Sequence, residues 1–303
     1  MTAVPRISVV VPAFRRPDRL AALLEALAAQ DLAREAFEVV VVDDGSPEPL
    51  APTGEAFSSR LQVRVHRQTN AGPAAARNTG AEVARAPLLA FTDDDCRPAP
   101  DWLRHLLAAA EADPTAMLGG RVVNAVEGDA AAEASQQLVA FLYQWWDDDH
   151  PSRFFASNNL AVPTAAFRQL GGFDTGFPRP GGEDRELCER WHATGCPLRE
   201  APLAVVHHHH AMGVRGLVRQ HLNYGRGAHD LHRRRAATGE RGLRVEGPQF
   251  YLRLVTYPFG RVPAPRAVLL SALLVVTQLA NAVGFFDERR RWRRAQGAPS
   301  SSP

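Results

Sequence analysis

Three consecutive aspartates, Asp93, Asp94 and Asp95, have the clearest potential for chemistry in this sequence. They follow the apolar run Leu88–Phe91, which predicts a buried strand that ends at the carboxyl edge of a sheet, where open α/β folds bind ligands. In an extended segment Asp93 and Asp95 point to the same side. Two carboxylates on one side suit Mg²⁺ or Mn²⁺, ions that commonly hold phosphates. The alternative is a solvated acidic turn before the helix expected near Asp101.

Two other polar segments lie where ligands bind in such folds. Asp43 and Asp44 end a β-branched run, where a carboxylate can accept hydrogen bonds from a base or a ribose, although Asp-Gly-Ser is also ordinary turn chemistry. The loop at 70–80 leads into a helix that carries Arg77. Arginine and exposed amides at a helix start favour phosphate, and a capped helix with a surface arginine is the other interpretation.

Glu183 and Asp184 open a later predicted helix, where acidic residues are electrostatically favoured in any case. The functional alternative is a general base that accepts a proton from an attacking hydroxyl. Four histidines, at 207–210, end a predicted strand, in which alternate members face the same way. One that faced the acidic cluster would complete a metal site, whereas for any single histidine a role other than ligand remains open.

The elements that position these residues alternate between strands and helices. Strands are predicted at 7–11, 39–42, 62–66 and 88–92, with helices at 17–30 and 73–84, which implies βαβ units and a parallel sheet. The second half is less regular, with strands predicted at 118–123, 155–162 and 203–210, and helices at 131–146, 183–194 and 213–235. The segment 239–265, which contains several prolines and glycines, is predicted to be irregular.

Composition excludes several classes of function. The formal net charge of the 303 residues is +2, which does not indicate nucleic acid as a partner. All 35 basic residues are arginine, so a P-loop lysine and Schiff-base chemistry are excluded. The three cysteines are odd in number and lack C-x-x-C spacing, which indicates a reducing compartment.

The order and spacing of the polar segments resemble the family 2 glycosyltransferases of the GT-A fold. The resemblance runs from Ile7 to about Arg235. It rests on Val9-Val10-Val11-Pro12-Ala13-Phe14, Val42-Asp43-Asp44-Gly45-Ser46, Asn70-x-Gly72 with Ala76-Arg77-Asn78-x-Gly80, Phe91-Thr92-Asp93-Asp94-Asp95, Asn158-Asn159-Leu160-Ala161, Gly171-Gly172-Phe173-Asp174, Gly182-Glu183-Asp184-x-Glu186-Leu187 and the histidine segment.

The resemblance implies a GT-A-type (Rossmann-like), mostly parallel sheet flanked by helices, with a C-terminal helical extension. Within it we predict a nucleotide-sugar-binding half (1–112), a metal and acceptor half (113–238), the extension (239–294) and a disordered tail (295–303). The implied activity is metal-dependent transfer of a sugar, with inversion, from a UDP, GDP or dTDP donor to an acceptor hydroxyl. A nucleotidyltransferase of similar fold and a non-catalytic sugar-binding or scaffold protein are the alternatives.

By the same resemblance, Asp184 would be the catalytic base, and Asp93, Asp95 and His208 would hold Mg²⁺ or Mn²⁺. The residues implied for nucleotide-sugar binding are Pro12, Phe14, Asp43, Asp44, Arg77, Asn78, Asp93 and Asp94. Those implied for the acceptor side are Asn158, Asn159, Trp145 and Glu183. The aromatic residues at 145–146 and 154–155 are expected either to form an acceptor-side wall or to pack in the core. Cys96 departs from the family, where an acidic residue frequently stands at that position.

Residues 267–286 contain no charge and are long enough to span a bilayer as a helix. Five arginines follow, at 289–291, 293 and 294, and such flanks prefer the cytoplasmic side. A single crossing would separate them from a cytoplasmic catalytic domain, so an in-plane or re-entrant helix, or a hairpin with 250–259, is expected. A buried or dimer-forming helix is the alternative. We therefore expect a cytoplasmic protein at the membrane's inner face. The resemblance to the family 2 glycosyltransferases, and not this helix, implies a glycan or lipid-linked acceptor.

Overall fold

The computed structural model describes residues 4–146, 150, 152–177, 181–237 and 245–297. The chain divides into two units. The first comprises Met1–Glu127, Leu142–Gly176 and Glu183–His210, and the second comprises Gly128–Phe141, Phe177–Gly182 and Ala211–Pro303.

The first unit is built on one eight-stranded sheet. Its strands are β1 (Ile7–Ala13), β2 (Phe37–Asp43), β3 (Val63–Arg67), β4 (Leu88–Phe91), β5 (Cys96–Pro98), β6 (Met117–Asn124), β7 (Leu160–Pro163) and β8 (Leu198–His208). They lie in the order β3-β2-β1-β4-β7-β6-β8-β5. The pairs within β3-β2-β1-β4 and the pair β6–β8 are parallel, whereas β7 and β5 run antiparallel to their neighbours. The predicted α/β architecture is therefore confirmed as a mostly parallel mixed sheet.

The helices connect these strands in the alternation that the sequence predicts. They are α1 (Pro17–Ala28), α2 (Ala51–Glu55), α3 (Pro73–Val83), α4 (Trp102–Ala112), α5 (Ala130–Trp145), α6 (Thr164–Gln169) and α7 (Glu183–Ala193). The leucines of α1 pack on Val9, Val39 and other buried residues of β1 and β2 in one apolar core. Burial on this scale removes apolar surface from water, which stabilises the sheet and the helix that packs on it.

The second half of the sheet departs from the prediction in three places. Residues 155–162 were predicted as one strand, but Ser157–Asn159 forms a 3₁₀ turn and only Leu160–Pro163 is β7. Strand β8 begins at Leu198, five residues before the prediction, and β5 was not predicted at all. The 3₁₀ turn ends at Asn159, whose side-chain amide donates to the carbonyl oxygens of Arg121 and Ala204.

The second unit is helical. Its further helices are α8 (Gly213–Ala237), α9 (Pro248–Thr256) and α10 (Ala264–Gly297). Its core contains Ala131, Ala134, Leu217, Leu270 and Leu273. Helix α9 lies in the segment predicted to be irregular, with Pro248 at its first turn, where proline is tolerated. The two predicted halves, 1–112 and 113–238, share one sheet, and the helical unit takes in α8 because it packs against α10. Residues 295–297 of the predicted tail complete α10, and the remainder lies outside the described residues.

Candidate active site

Four strand ends bring the predicted site residues to one edge of the sheet. Strands β1, β2, β4 and β8 run in the same direction, so their carboxyl ends meet at that edge. The residues that follow β4 are Asp93, Asp94 and Asp95, and β8 ends at His208. The edge therefore collects carboxylates and imidazoles from segments about a hundred residues apart.

Asp43 and Asp44, at the end of β2, are buried and bonded to the backbone. The Asp43 carboxylate accepts hydrogen bonds from the amides of Ser46 (2.9 Å) and Leu50 (3.2 Å). The Asp44 carboxylate accepts hydrogen bonds from the amides of Ala71 (2.8 Å) and Gly72 (2.9 Å), at the start of α3. Both carboxylates thus organise the loops around the cleft, as the turn interpretation expects. Pro12 and Phe14, at the end of β1, are half-buried.

Arg77 of α3 links the acidic segments. It is 4% exposed, and its guanidinium donates to Asp93 at 2.7 Å and lies 3.9 Å from the carboxylate of Glu183. Its Nε and Nη1 have no hydrogen-bond partner among the described residues. Burial opposes the charged form, but Asp93, Asp184 and Glu183 together raise the pKa of Arg77. A buried arginine with two nitrogens that lack hydrogen-bond partners among the described residues is suited to an anionic ligand.

Asp95 is the centre of a second cluster. Its carboxylate lies 3.3 Å from Nε2 of His208 and 3.2 Å from Nδ1 of His210, and Arg19 donates to it at 2.9 Å. Burial alone would raise the pKa of Asp95, but the hydrogen bonds of His208 and His210 hold it well below its usual range. Asp95 therefore stays ionised, as a metal ligand must be.

The donor atoms around Asp95 fit a divalent cation. One ligand atom from each of Asp95, Cys96 and His208 can lie within 4.8 Å of the others. Burial raises the pKa of the Cys96 thiol well above its usual range, so this sulfur stays protonated and is a poor ligand. Carboxylate oxygen and imidazole nitrogen remain, and both are common ligands of divalent cations in proteins.

The other two aspartates of the motif have different partners. Asp93 pairs with Arg77, and it does not belong to the group that the described residues form around His208. Asp94 is buried and accepts a hydrogen bond from Arg16 at 3.1 Å. Burial raises the pKa of Asp94 to about 6, and Arg16 opposes this shift. Of the three predicted metal ligands, Asp95 and His208 therefore lie together in the structure. The third, Asp93, instead forms a hydrogen-bonded ion pair with Arg77.

Asp184, in the first turn of α7, is the predicted base. One of its carboxylate oxygens, Oδ2, accepts a hydrogen bond from the amide of Ser157 at 3.2 Å. The other, Oδ1, is buried and has no hydrogen-bond partner among the described residues. Burial and then the charge of Glu183 raise the pKa of Asp184 to about 7, while Arg77 opposes them. A carboxylate whose pKa is close to neutral is suited to proton transfer at physiological pH.

Asn78, Asn158 and Asn159 have different surroundings. Both ends of the Asn78 amide bond to the backbone of Phe173, each at 2.8 Å, which fixes the Gly-Gly-Phe-Asp turn. Asn158 is half-buried, and its Oδ1 has no hydrogen-bond partner in the described part of the chain. Asn159 was expected on the acceptor side, but it is 1% exposed and its amide bonds to Trp102 and to the carbonyls of residues 121 and 204. It therefore supports the cleft from within the core.

Replacing Asn159 by alanine is expected to destabilise the fold. The indole N–H of Trp102 and the carbonyl oxygens of Arg121 and Ala204 would lose a partner in a buried place. Each unsatisfied buried group costs about 1–3 kcal/mol, so we expect a loss of about 2–4 kcal/mol in unfolding free energy, measured by urea denaturation. An unchanged denaturation midpoint together with a raised KM for acceptor would restore the acceptor-side role.

The aromatic residues beside the cleft are mostly core. Trp146, Phe154 and Phe155 are buried, whereas Trp145 is half-buried. Arg185 lies over the ring of Phe154, 4.2 Å from its centroid, and 5.5 Å from that of Trp146. Of the two interpretations from sequence, core packing describes these three buried rings.

The sequence reasoning missed Arg16, Arg19 and His210. For His210 a signal was present, because alternate residues of a strand face the same way and His208 was already assigned. For Arg16 and Arg19 there was none in the local sequence. Their partners, Asp94 and Asp95, lie 76 to 78 residues away, so only the topology brings them together.

Comparison with known proteins identifies related glycosyltransferases. Among curated proteins, the chain is 35% identical over 224 residues to validoxylamine A glucosyltransferase of Streptomyces hygroscopicus, covering 64% of the chain and 53% of the relative. It is 31% identical over 232 residues to the pre-mycofactocin glycosyltransferase of Mycobacterium tuberculosis, covering 74% and 47%. The chain thus spans about half the length of these relatives.

Solved structures show the fold. A mannosyltransferase from Pyrobaculum calidifontis, solved in complex with GDP-Man and Mn²⁺, superposes with a TM-score of 0.60 at 19% identity, covering 92% of this chain and 88% of that chain. TarS from S. aureus, in residues 1–349, gives a TM-score of 0.53 at 17% identity, covering 96% and 92%. Likenesses at this identity concern the fold alone.

Two family profiles match the sequence. The profile described as N-terminal domain of galactosyltransferase matches residues 136–213. The profile described as glycosyl transferase family 2 matches residues 8–170, which is more than half of the chain. The chain therefore belongs to glycosyl transferase family 2, and its first unit has the GT-A fold.

Proposed function

We propose that this protein transfers a sugar from a nucleotide-sugar donor to an acceptor hydroxyl, with inversion at the anomeric carbon. The observation that carries the proposal is the Asp184 carboxylate. Its Oδ1 is buried and has no hydrogen-bond partner among the described residues. Burial raises the pKa of this carboxyl group to about 7. A carboxylate of this kind can accept the proton of an attacking hydroxyl, and attack from the face opposite the leaving group inverts the sugar.

The donor is proposed to bind at the edge formed by β1, β2 and α3. The loops that Asp43 and Asp44 organise would receive the base and ribose, with Pro12 and Phe14 beside them. Arg77 would bind the diphosphate through the two nitrogens that have no hydrogen-bond partner within the described residues. The relatives and fold neighbours support a nucleotide-sugar donor, since two are named glycosyltransferases and one was solved with GDP-Man.

Asp95 and His208 are proposed to hold a divalent cation, with Mn²⁺ favoured over Mg²⁺ by the imidazole ligand. A bound cation would supply charge stabilisation for the departing nucleoside diphosphate. The chain's own contribution there is to keep Asp95 ionised and to orient His208 through their mutual contact. Asp93 would remain near the donor through its bond to Arg77.

For the acceptor we propose a glycan or a lipid-linked sugar at the cytoplasmic face of the membrane. Glu183 and Asn158 lie next to Asp184 and Ser157 along the chain and would line the acceptor side, with Trp145 at its margin. The apolar, arginine-flanked helix α10 supports a location at a membrane.

Nucleotide release tests this function. Purified protein is incubated with UDP-, GDP- and dTDP-sugars, in the presence of Mn²⁺ and separately with excess EDTA, and the free nucleoside diphosphate is measured. We expect one donor class to be turned over, and EDTA to stop the release. Absence of release from every donor in the presence of Mn²⁺ and a panel of glycan and lipid-linked acceptors would contradict the proposal.

The rate is expected to depend on pH through Asp184. A general base acts only when ionised, so with a pKa of about 7 the value of kcat should fall as the pH drops below neutrality, approaching about tenfold per unit. We would measure kcat between pH 5 and 8.5 at saturating donor and Mn²⁺. A profile that is flat across this range would show that Asp184 is not the base.

A further inference from the structure

Helix α10 carries a wide apolar face. Its large apolar side chains that are 41–63% exposed are Val268, Leu269, Val275, Leu279, Val283 and Phe286. With the exposed alanines at 272 and 282, they follow a spacing of three and four residues, so they lie along one side of the helix. We call these eight residues the α10 apolar face.

The other side of α10 is packed on α8. Asn281 contacts His221 at 3.3 Å, and Arg226 donates to Asp287 at 2.8 Å. The backbones approach so closely that a methyl group on Gly225 or on Gly284 would overlap a carbonyl oxygen of the facing helix.

Helix α8 carries six arginines and three histidines. A bilayer-spanning α10 would have to leave α8 or take these charges into hydrocarbon, so we infer that it does not span.

Charged residues are distributed asymmetrically along the sequence. No charged residue occurs from 267 to 286, and residues 287–294 then carry two acidic residues and five arginines. Residues 211–303 carry sixteen arginines and five acidic residues, whereas residues 1–210 carry nineteen arginines and twenty-eight acidic residues. The exposed arginines Arg253, Arg261, Arg289 and Arg290 belong to this basic segment. Its natural complement is an anionic surface.

This charge distribution argues against a second copy as the occupant. Two basic segments facing each other would bring many like charges together. A coiled-coil seam is also narrower, and its flanking positions carry charges of both signs that select the partner. Here Leu269 and Val283, which belong to the α10 apolar face, occupy flanking positions and carry no charge. An exposed apolar face on a helix whose other side packs on the arginine-rich α8 is suited to the interface of a membrane that contains anionic lipids.

We propose that the α10 apolar face lies in the interfacial region of an anionic lipid bilayer, with the helix axis parallel to the membrane plane. The apolar side chains reach the acyl boundary, and the arginines at 289–294 contact lipid phosphates. This deepens the membrane location in the proposed function, but it rests on α10 alone and is tested without donor or acceptor.

Vesicle co-sedimentation of the purified full chain tests the proposal. The vesicles are phosphatidylcholine alone, or phosphatidylcholine with about a third phosphatidylglycerol, at 50 mM and at 500 mM NaCl. We expect partitioning onto the anionic vesicles that weakens at high salt, because arginine–phosphate attraction is screened. Failure to bind the anionic vesicles at low salt would overturn the proposal.

Paired substitutions test whether the α10 apolar face and the arginines that follow it are the residues that contact the vesicles. Leu279→Glu with Val283→Glu places charges in the apolar face, and Arg289→Glu with Arg293→Glu reverses charges at its end. Each pair is expected to weaken partitioning about tenfold or more. The control is Leu203→Glu, an equally exposed apolar residue on β8, which should bind as the parent does. Thermal unfolding by circular dichroism checks that each variant is folded.

A second copy is the competing outcome. If light scattering showed a lipid-free dimer that Leu279→Glu with Val283→Glu converts into a monomer, the face would be a self-association surface and the proposal would be overturned. Variants that are folded and bind vesicles like the parent would overturn it as well. Donor turnover in solution is measured separately, so a failure of the membrane inference is distinguishable from a failure of the proposed reaction.

Discussion

Replacing Asp184 by asparagine is expected to slow sugar transfer about 10²–10⁴-fold, which corresponds to about 3–5 kcal/mol of barrier. The amide keeps the size of the side chain, and its oxygen can still accept the amide hydrogen bond of Ser157. It cannot take up the proton that the acceptor hydroxyl must lose. Because the loss concerns the transition state, kcat should fall while the Kd for donor changes little.

Single-turnover transfer and donor titration by calorimetry measure the two quantities separately. Glu186→Gln is the matched control, since it neutralises another carboxylate on α7 that is held by Arg190. We expect this control to transfer sugar near the parent rate. An Asp184→Asn enzyme that transferred at the parent rate would reduce Asp184 to an acidic residue that stabilises a helix start.

Replacing Asp95 by asparagine is expected to lower turnover about 10²–10³-fold, by loss of a ligand from the charge-stabilising cation site. Asparagine is chosen over alanine because four cationic or polar groups converge on this carboxylate, including Arg19, His208 and His210. The amide oxygen keeps some of these hydrogen bonds but not the negative charge. The variant should also bind Mn²⁺ more weakly than the parent does.

Electron paramagnetic resonance of free Mn²⁺ provides a measure of binding that does not depend on activity. Asp101→Asn is the matched control, because Asp101 is half-exposed and pairs with His105 at 3.1 Å on α4. It should leave Mn²⁺ affinity and turnover unchanged. Full activity of the parent enzyme in excess EDTA would sink the metal assignment altogether.

The central sheet could be predicted because its strands are buried on both faces. Such strands appear in sequence as continuous apolar runs, and Val39–Val42 and Leu88–Phe91 are both fully buried. The polar residues that follow each run then mark the ligand edge. This is why Asp93–Asp95 and the histidine segment could be placed together although 112 residues separate Asp95 from His207.

The remaining site depends on contacts that local sequence does not encode. In the sequence, an asparagine that binds a sugar looks the same as one that bonds within the core. For Asn159, only its burial and its hydrogen bond with Trp102 show that it belongs to the core. Helix α9 was missed because Pro248 and Gly247 indicated a loop, although proline in the first turn of a helix is compatible with helix. In both cases tertiary packing, and not propensity, determines the outcome.

Arg77 is one guanidinium shared by the acidic residues of two motifs. It bonds to Asp93, after β4, and it lies within the electrostatic reach of Glu183 and Asp184, on α7. Any change in the charge at Asp93 therefore alters how strongly Arg77 stabilises the ionised form of Asp184. Substitutions at Asp93 and Asp184 cannot be energetically additive, and a variant at position 93 reports on proton affinity at position 184. The segment that follows β4 and the first turn of α7 are thus electrostatically coupled through a single guanidinium.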